Sequence, residues 1–138
     1  MDKELAMSEQ PPNAIVVLIS AGSREEAARL AEMLVNSRLA ACVQILPEME
    51  SVYFWKDKVE RQPETLLLVK TVQANFDELQ REVCALHSYE TPEIIALPVT
   101  AAFAPYLEWL TSTVKSHTRV TDAAPDANGN PKTFNRKS

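Results

Sequence analysis

The stretch Ala40–Glu60, AACVQILPEMESVYFWKDKVE, decides how the rest of the chain is organised. Val43, Ile45, Val52, Tyr53, Phe54, Trp55 and Val59 favour extended backbone, and no glycine interrupts them. Pro47 has no N–H to give a ladder, so with Glu48 and Glu50 it marks a bulge or an edge. Lys56-Asp57-Lys58 reads as a turn and Glu64–Val72 (ETLLLVKTV) as the returning strand. The prediction is a long, bent hairpin. About 20 extended residues at ~3.3 Å each would reach roughly 65 Å. A compact domain of this chain length is only about 35 Å across. The hairpin must bend sharply or leave the body. A lone two-stranded ribbon is marginal in water, and a patch as apolar as Tyr53, Phe54 and Trp55 marks an interface. A second copy of the chain is the expected cover. The alternative is a hairpin broken at Pro47 and folded back on its own sheet.

The whole chain has 138 residues, enough for one domain, and 46% of them are hydrophobic, too many for a disordered chain. No run approaches the roughly 20 apolar residues of a membrane span. The first residues, Met1, Asp2, Lys3 and Glu4, lack a basic-then-apolar leader pattern, so a soluble cytoplasmic protein is expected. Cys42 lies in an apolar strand and Cys84 in an amphipathic helix, where buried free thiols are common. A disulfide between them is not expected. Net charge is −5; residues 117–138 carry four basic and two acidic side chains, so residues 1–116 carry −7. An acidic body argues against nucleic-acid binding.

Outside the hairpin the pattern alternates. Residues 1–13 are polar and end near Pro11-Pro12, which predicts a flexible arm. Ala14–Ser20 (AIVVLIS) reads as a central strand. Ser23-Arg24-Glu25-Glu26 is a capping box, and the helix behind it stripes Ala27, Ala31, Leu34 and Val35. Asn75-Phe76-Asp77-Glu78 repeats the capping pattern ahead of Leu79, Val83 and Leu86. Glu93–Val99 reads as a strand, with Pro98 at an edge or near its end. Phe103, Leu107, Leu110 and Val114 mark a last helix with Pro105 in its first turn. Residues 14–116 therefore form the domain, and 117–138 a disordered tail that includes His117. The order βαββαβ plus a final helix is the ferredoxin-like, split-βαβ arrangement of an α+β fold. Its sheet carries two helices on one face. Apolar residues at both strand parities favour another subunit on the other face.

Several blocks now become recognisable: Arg38–Val43 (RLAACV), Ser51–Glu60 (SVYFWKDKVE), Lys70-Thr71, His87–Ile95 (HSYETPEII) and Tyr106–Trp109 (YLEW). Between about Val16 and Trp109 the chain resembles the CutA-like divalent-cation tolerance proteins. The resemblance implies a homotrimer of ferredoxin-like subunits, similar to the PII signalling proteins, with the long hairpins packed between subunits. The chain departs from the family pattern in three places. Ser88 stands where many members have proline, Asp57 where many have a turn glycine, and Ala101–Pro105 where a glycine usually precedes the final block.

Two constellations carry chemistry. His87, Glu90 and Glu93 fall within seven residues, and imidazole with carboxylate suits copper or zinc. Copper proposals in the family invoke a cysteine in the first strand and a histidine pair. Ile19 and Leu86 stand at those positions here, which leaves His87 with Glu90 as the candidate metal pair. Its structural alternative is a histidine that caps its helix or bonds a neighbouring subunit. The second constellation is Lys70, Tyr53, Trp55, Tyr89, Glu90, Glu93 and Trp109. Family architecture would gather several of these at a cleft between subunits, where a lysine among phenols and carboxylates suits a small anion or polar metabolite. It suits equally an interface network in which buried charges satisfy each other. No nucleophile stands beside an evident base, Cys42 reads as core, and the two glycines, Gly22 and Gly129, form no phosphate loop. The sequence thus reads as a non-enzymatic, trimeric divalent-cation tolerance protein that responds to metal ions, with a PII-like ligand cleft. The alternatives are a direct copper or zinc binder and a trimeric platform for a protein partner.

Overall fold

A computed structural model describes residues 13–115. The expected arm, apart from Asn13, and the expected tail lie outside the described residues. Strand β1 (Ala14–Ala21) leads to helix α1 (Arg24–Asn36), then β2 (Cys42–Trp55) and β3 (Lys58–Val72). A 3₁₀ turn (Gln73–Asn75) opens α2 (Phe76–Leu86), followed by β4 (Ile94–Pro98) and α3 (Ala104–Thr113). The strands form one antiparallel sheet in the order β2-β3-β1-β4, the ferredoxin-like topology. β1 is central, as its apolar run predicts, and Pro98 ends the edge strand β4.

Period-2 alternation divides the sheet. One face, with Ile15, Val17, Ile19, Leu67 and Val69, meets Ala27, Leu30 and Leu34 of α1 and Leu79 and Val83 of α2, and this is the core. On the other parity, Leu46, Ile95 and Leu97 are exposed and Val16, Leu18, Leu66 and Leu68 half-buried. α3 reaches one end of this sheet through Leu110 and Val114, which pack on Ala41 and Val72.

The first strand of the hairpin is shorter than the sequence suggests and the return strand longer. β1 supports β3 only as far as the pair Ala21↔Thr65. Beyond it, Met49–Trp55 and Lys58–Glu64 run on as a bare two-stranded arm. The register slips between Leu46 and Met49, where Pro47 was expected to break the ladder, and Glu48 takes a left-handed φ of 64°. The turn is two residues, Lys56-Asp57, both with positive φ, and Lys58 already pairs with Trp55. The returning strand therefore starts at Lys58 and not at Glu64.

Several local expectations need correction. Asn75 makes no side-chain cap; its Nδ2 turns inward toward the Leu39 carbonyl and Thr71 Oγ1 at 3.5 and 3.4 Å. Val35 and Leu86 fall outside the buried stripes. Cys84 is exposed and Cys42 half-buried, and both are free thiols. α1 ends in a Schellman motif, with Leu39 N–H bonded to the Leu34 carbonyl and Arg38, φ 61°, where glycine is usual.

Candidate functional site

The polar network begins at the first helix cap. Ser23 Oγ accepts the Glu26 N–H at 3.0 Å, as a capping box requires. The Glu26 carboxylate, however, reaches past Ser23 to the Gly22 N–H at 3.2 Å. It also accepts Ser88 N–H at 2.7 Å and Ser88 Oγ–H at 3.0 Å. The residue is only 5% exposed. Burial alone would raise its pKa. The Ser88 and Gly22 donors outweigh burial and hold it below the ordinary carboxylate value.

His87 closes α2 by its own N–H to the Val83 carbonyl at 2.8 Å. Its side chain is buried. Nε2 lies 2.8 Å from the Ser20 carbonyl, which can only accept, so Nε2 carries a proton. Nδ1 receives the Tyr89 N–H at 3.0 Å, so it presents a lone pair. Both ring nitrogens are thereby engaged by backbone, which ties the end of α2 to the end of β1. Glu90 and Glu93 are exposed on the segment leading to β4. Among the described residues no three His, Cys, Asp or Glu side chains are placed to share a metal ion.

Tyr89 carries the network to the arm. Its hydroxyl donates to Glu64 Oε2 at 2.6 Å, and Ser51 Oγ donates to Glu64 Oε1 at 2.6 Å. The ring lies against Gly22, where a Cβ would come within 3.1 Å of the hydroxyl, and 4.8 Å from the His87 ring. Burial, then the bond and charge of Glu64, raise the Tyr89 pKa well above the ordinary phenol value. Tyr53 shares the arm face of Ser51, and it and Trp55 are exposed.

Lys70 and Trp109 belong to a different place. Lys70 is six residues from Glu64 along β3, about 20 Å at ~3.3 Å per residue. It pairs across the ladder with Cys42 and donates to Gln44 Oε1 at 2.5 Å. Trp109 lies 5.4 Å from Tyr106 with the two rings tilted by 43°; burial, then the nearby Cys42 thiol, raise the Tyr106 pKa. One chain thus holds the expected cleft residues in two groups, Tyr89 with the arm at one end of β3, and Lys70 with Trp109 toward the other.

The sequence reads Glu26 as a helix cap, Ser51 as part of a recognisable block and Glu64 as the start of a strand, but none of them as a site residue. The available signal was parity: Glu64 falls in phase with Leu66 and Leu68, an unusual place for an acid unless it has a partner.

Comparison with known proteins gives a consistent result. A family profile described as CutA1 divalent ion tolerance protein matches residues 15–113. The divalent-cation tolerance protein CutA of Thermus thermophilus is 48% identical over 95 residues, 69% of this chain and 92% of the relative. The protein named CutA, chloroplastic, of Arabidopsis thaliana is 44% identical over 75% of this chain, and the match spans 57% of that longer protein. The crystal structure of CutA1 from Oryza sativa superposes with a TM-score of 0.74 at 41% identity, covering 75% of this chain and 95% of that one.

Proposed function

This chain belongs to the CutA1 divalent-ion tolerance family, and from that premise we propose that it serves divalent-cation tolerance without catalysing a reaction. In this reading it is a homotrimer that binds a small anionic or polar ligand where subunits meet. The observation that carries the reading is the division of the cleft residues. Lys70 with Gln44, Tyr106 and Trp109 lies toward one end of the sheet, and Tyr89 with Glu64 at the other. A site that uses both groups draws them from different subunits. The bare arm, with Phe54 68% exposed, and the apolar open face of the sheet support assembly as the means. Lys70 supplies the positive charge, and the tilted Tyr106–Trp109 pair supplies aromatic surface. A role for His87 as metal ligand finds less support, because backbone groups hold both of its nitrogens.

Relatives are named for a tolerance phenotype and not for a reaction. Among the described residues no helix is long and apolar enough to cross a membrane. A cytoplasmic location belongs to this proposal, since the Arabidopsis relative is named chloroplastic. The test is a thermal-shift panel of nucleotides, inorganic anions and divalent cations on wild type and Lys70→Ala. A ligand at 100 times its Kd raises stability by about 2.7 kcal/mol. A shift with an anion in wild type, absent in Lys70→Ala, is the expected result. No shift with any anion or nucleotide refutes the cleft. A shift with copper or zinc alone, unchanged in Lys70→Ala, refutes it in favour of direct metal binding.

A further inference from the structure

Two discontinuities coincide at the root of the arm. β1 ends at the Ala21↔Thr65 pair, so no third strand flanks the hairpin beyond it. The β2 ladder slips between Leu46 and Met49. Glu64, opposite Met49, is the first β3 residue beyond support from β1. A two-stranded ribbon leaving a sheet at a bulge is free to twist and swing, because neither a third strand nor a regular ladder fixes its angle. Glu64 stands at this pivot with each carboxylate oxygen taken, one by Ser51 of the arm and one by Tyr89 of the body.

We propose that the Ser51–Glu64–Tyr89 clamp is a lock that fixes the angle at which the hairpin arm leaves the sheet. The body side of the clamp is itself immobilised. Tyr89 is packed against Gly22 and the His87 ring and bonded through its N–H to His87 Nδ1, while His87 Nε2 holds the Ser20 carbonyl of β1. The lock therefore runs from the arm through Glu64, Tyr89 and His87 to the central strand. Donors to a carboxylate are the stronger kind of hydrogen bond, and Glu64 takes two at 2.6 Å. Tyr89 is outside the ladder, and the hydrogen bond that ties it to the arm is the one to Glu64. The consequence for assembly rests on the trimer reading above; the lock itself does not.

Hydrogen exchange on the full chain tests it, comparing wild type with Tyr89→Phe and Glu64→Gln. In both variants the amides of 49–55, 58–62 and 64 are expected to exchange about 10- to 100-fold faster, the equivalent of losing one charge-assisted bond. The β1 amides of 15–19 should keep their wild-type rates. Unchanged arm exchange in both variants overturns the lock. Equal acceleration of the arm and β1 also overturns it, since that is general destabilisation. Should either variant fail to fold, Ser51→Ala cuts the clamp from the arm side and is judged by the same two rates. Sedimentation of the same samples separates the two ideas. A monomeric wild type with a loosened arm in the variants sinks the assembly reading and leaves the lock standing; an assembled protein with an unchanged arm does the reverse.

Discussion

Glu26 occupies the position where a capping box would spend its carboxylate on its own helix, yet Ser88, sixty-two residues away, supplies two of its donors. Proline stands at position 88 in many proteins that this chain resembles, and proline has neither N–H nor hydroxyl. Ser88→Ala is expected to cost about 1.5 kcal/mol in chemical denaturation, and Ser88→Pro about 3 kcal/mol, because each removes donors from a buried carboxylate. Equal costs for the two would show that the amide contributes nothing. The lowered pKa of Glu26 also fixes a pH dependence. A depressed carboxylate contributes stability that is fully present above the unfolded-chain value of about 4.3 and is lost as pH falls through the folded value. Glu26→Gln should therefore flatten the fall in stability on the acid side of that value and leave the slope near neutrality unchanged. An unaltered acid limb would contradict the bonding assigned to Glu26. At this scale His87 and Tyr89 were each legible as candidates, in separate constellations, but neither their contact with each other nor their partners were. Glu26 looked like local helix chemistry and Glu64 like the start of a strand, and only the closed fold reveals that both bind the same short loop.

The elements show why the hairpin and the place of its turn were predictable and the start of its return strand was not. β-branched and aromatic residues, the proline and the sheer length of the stretch predict an extended, interrupted pair, and the bulge falls where Pro47 predicts it. The first part of the return strand, Lys58–Glu64, contains Pro63 and little apolar alternation, so its pairing comes from backbone register with β2 and not from a pattern in its side chains. The turn between them holds Lys56 and Asp57 at φ 49° and 65°, a region that costs L-residues about 1–2 kcal/mol each. Asp57→Gly should therefore raise the denaturation midpoint by the equivalent of about 1 kcal/mol while leaving the register intact. A lower midpoint would mean that the Asp57 side chain stabilises the turn by more than the backbone cost. Asn75 failed as a cap for a related reason. Burial among Thr71 and Leu39 outbids exposure at a helix end, and a propensity rule carries no information about which carbonyls lie behind the helix.

For the whole molecule the decisive quantity is apolar surface that one chain leaves uncovered. Register places Val52, Phe54 and Val59 together on one face of the arm, all exposed, with Phe54 directly opposite Val59. The open sheet face adds Leu46, Ile95 and Leu97. Burying one phenylalanine side chain stabilises by about 2 kcal/mol. Three symmetric copies would contribute about 6 kcal/mol, roughly four orders of magnitude in an assembly constant. Phe54→Asp removes that contribution and places a charge where apolar contact is expected, while its side chain touches nothing in the core of its own subunit. On the proposed homotrimer, sedimentation should then show dissociation at concentrations where wild type assembles. Circular dichroism should show that the four-stranded sheet survives, because Ile15, Val17, Ile19, Leu67 and Val69 are packed by α1 and α2 of the same chain. If Phe54→Asp sediments as wild type does, the arm is not the assembling surface. The open face of the sheet would then have to supply the contact by itself.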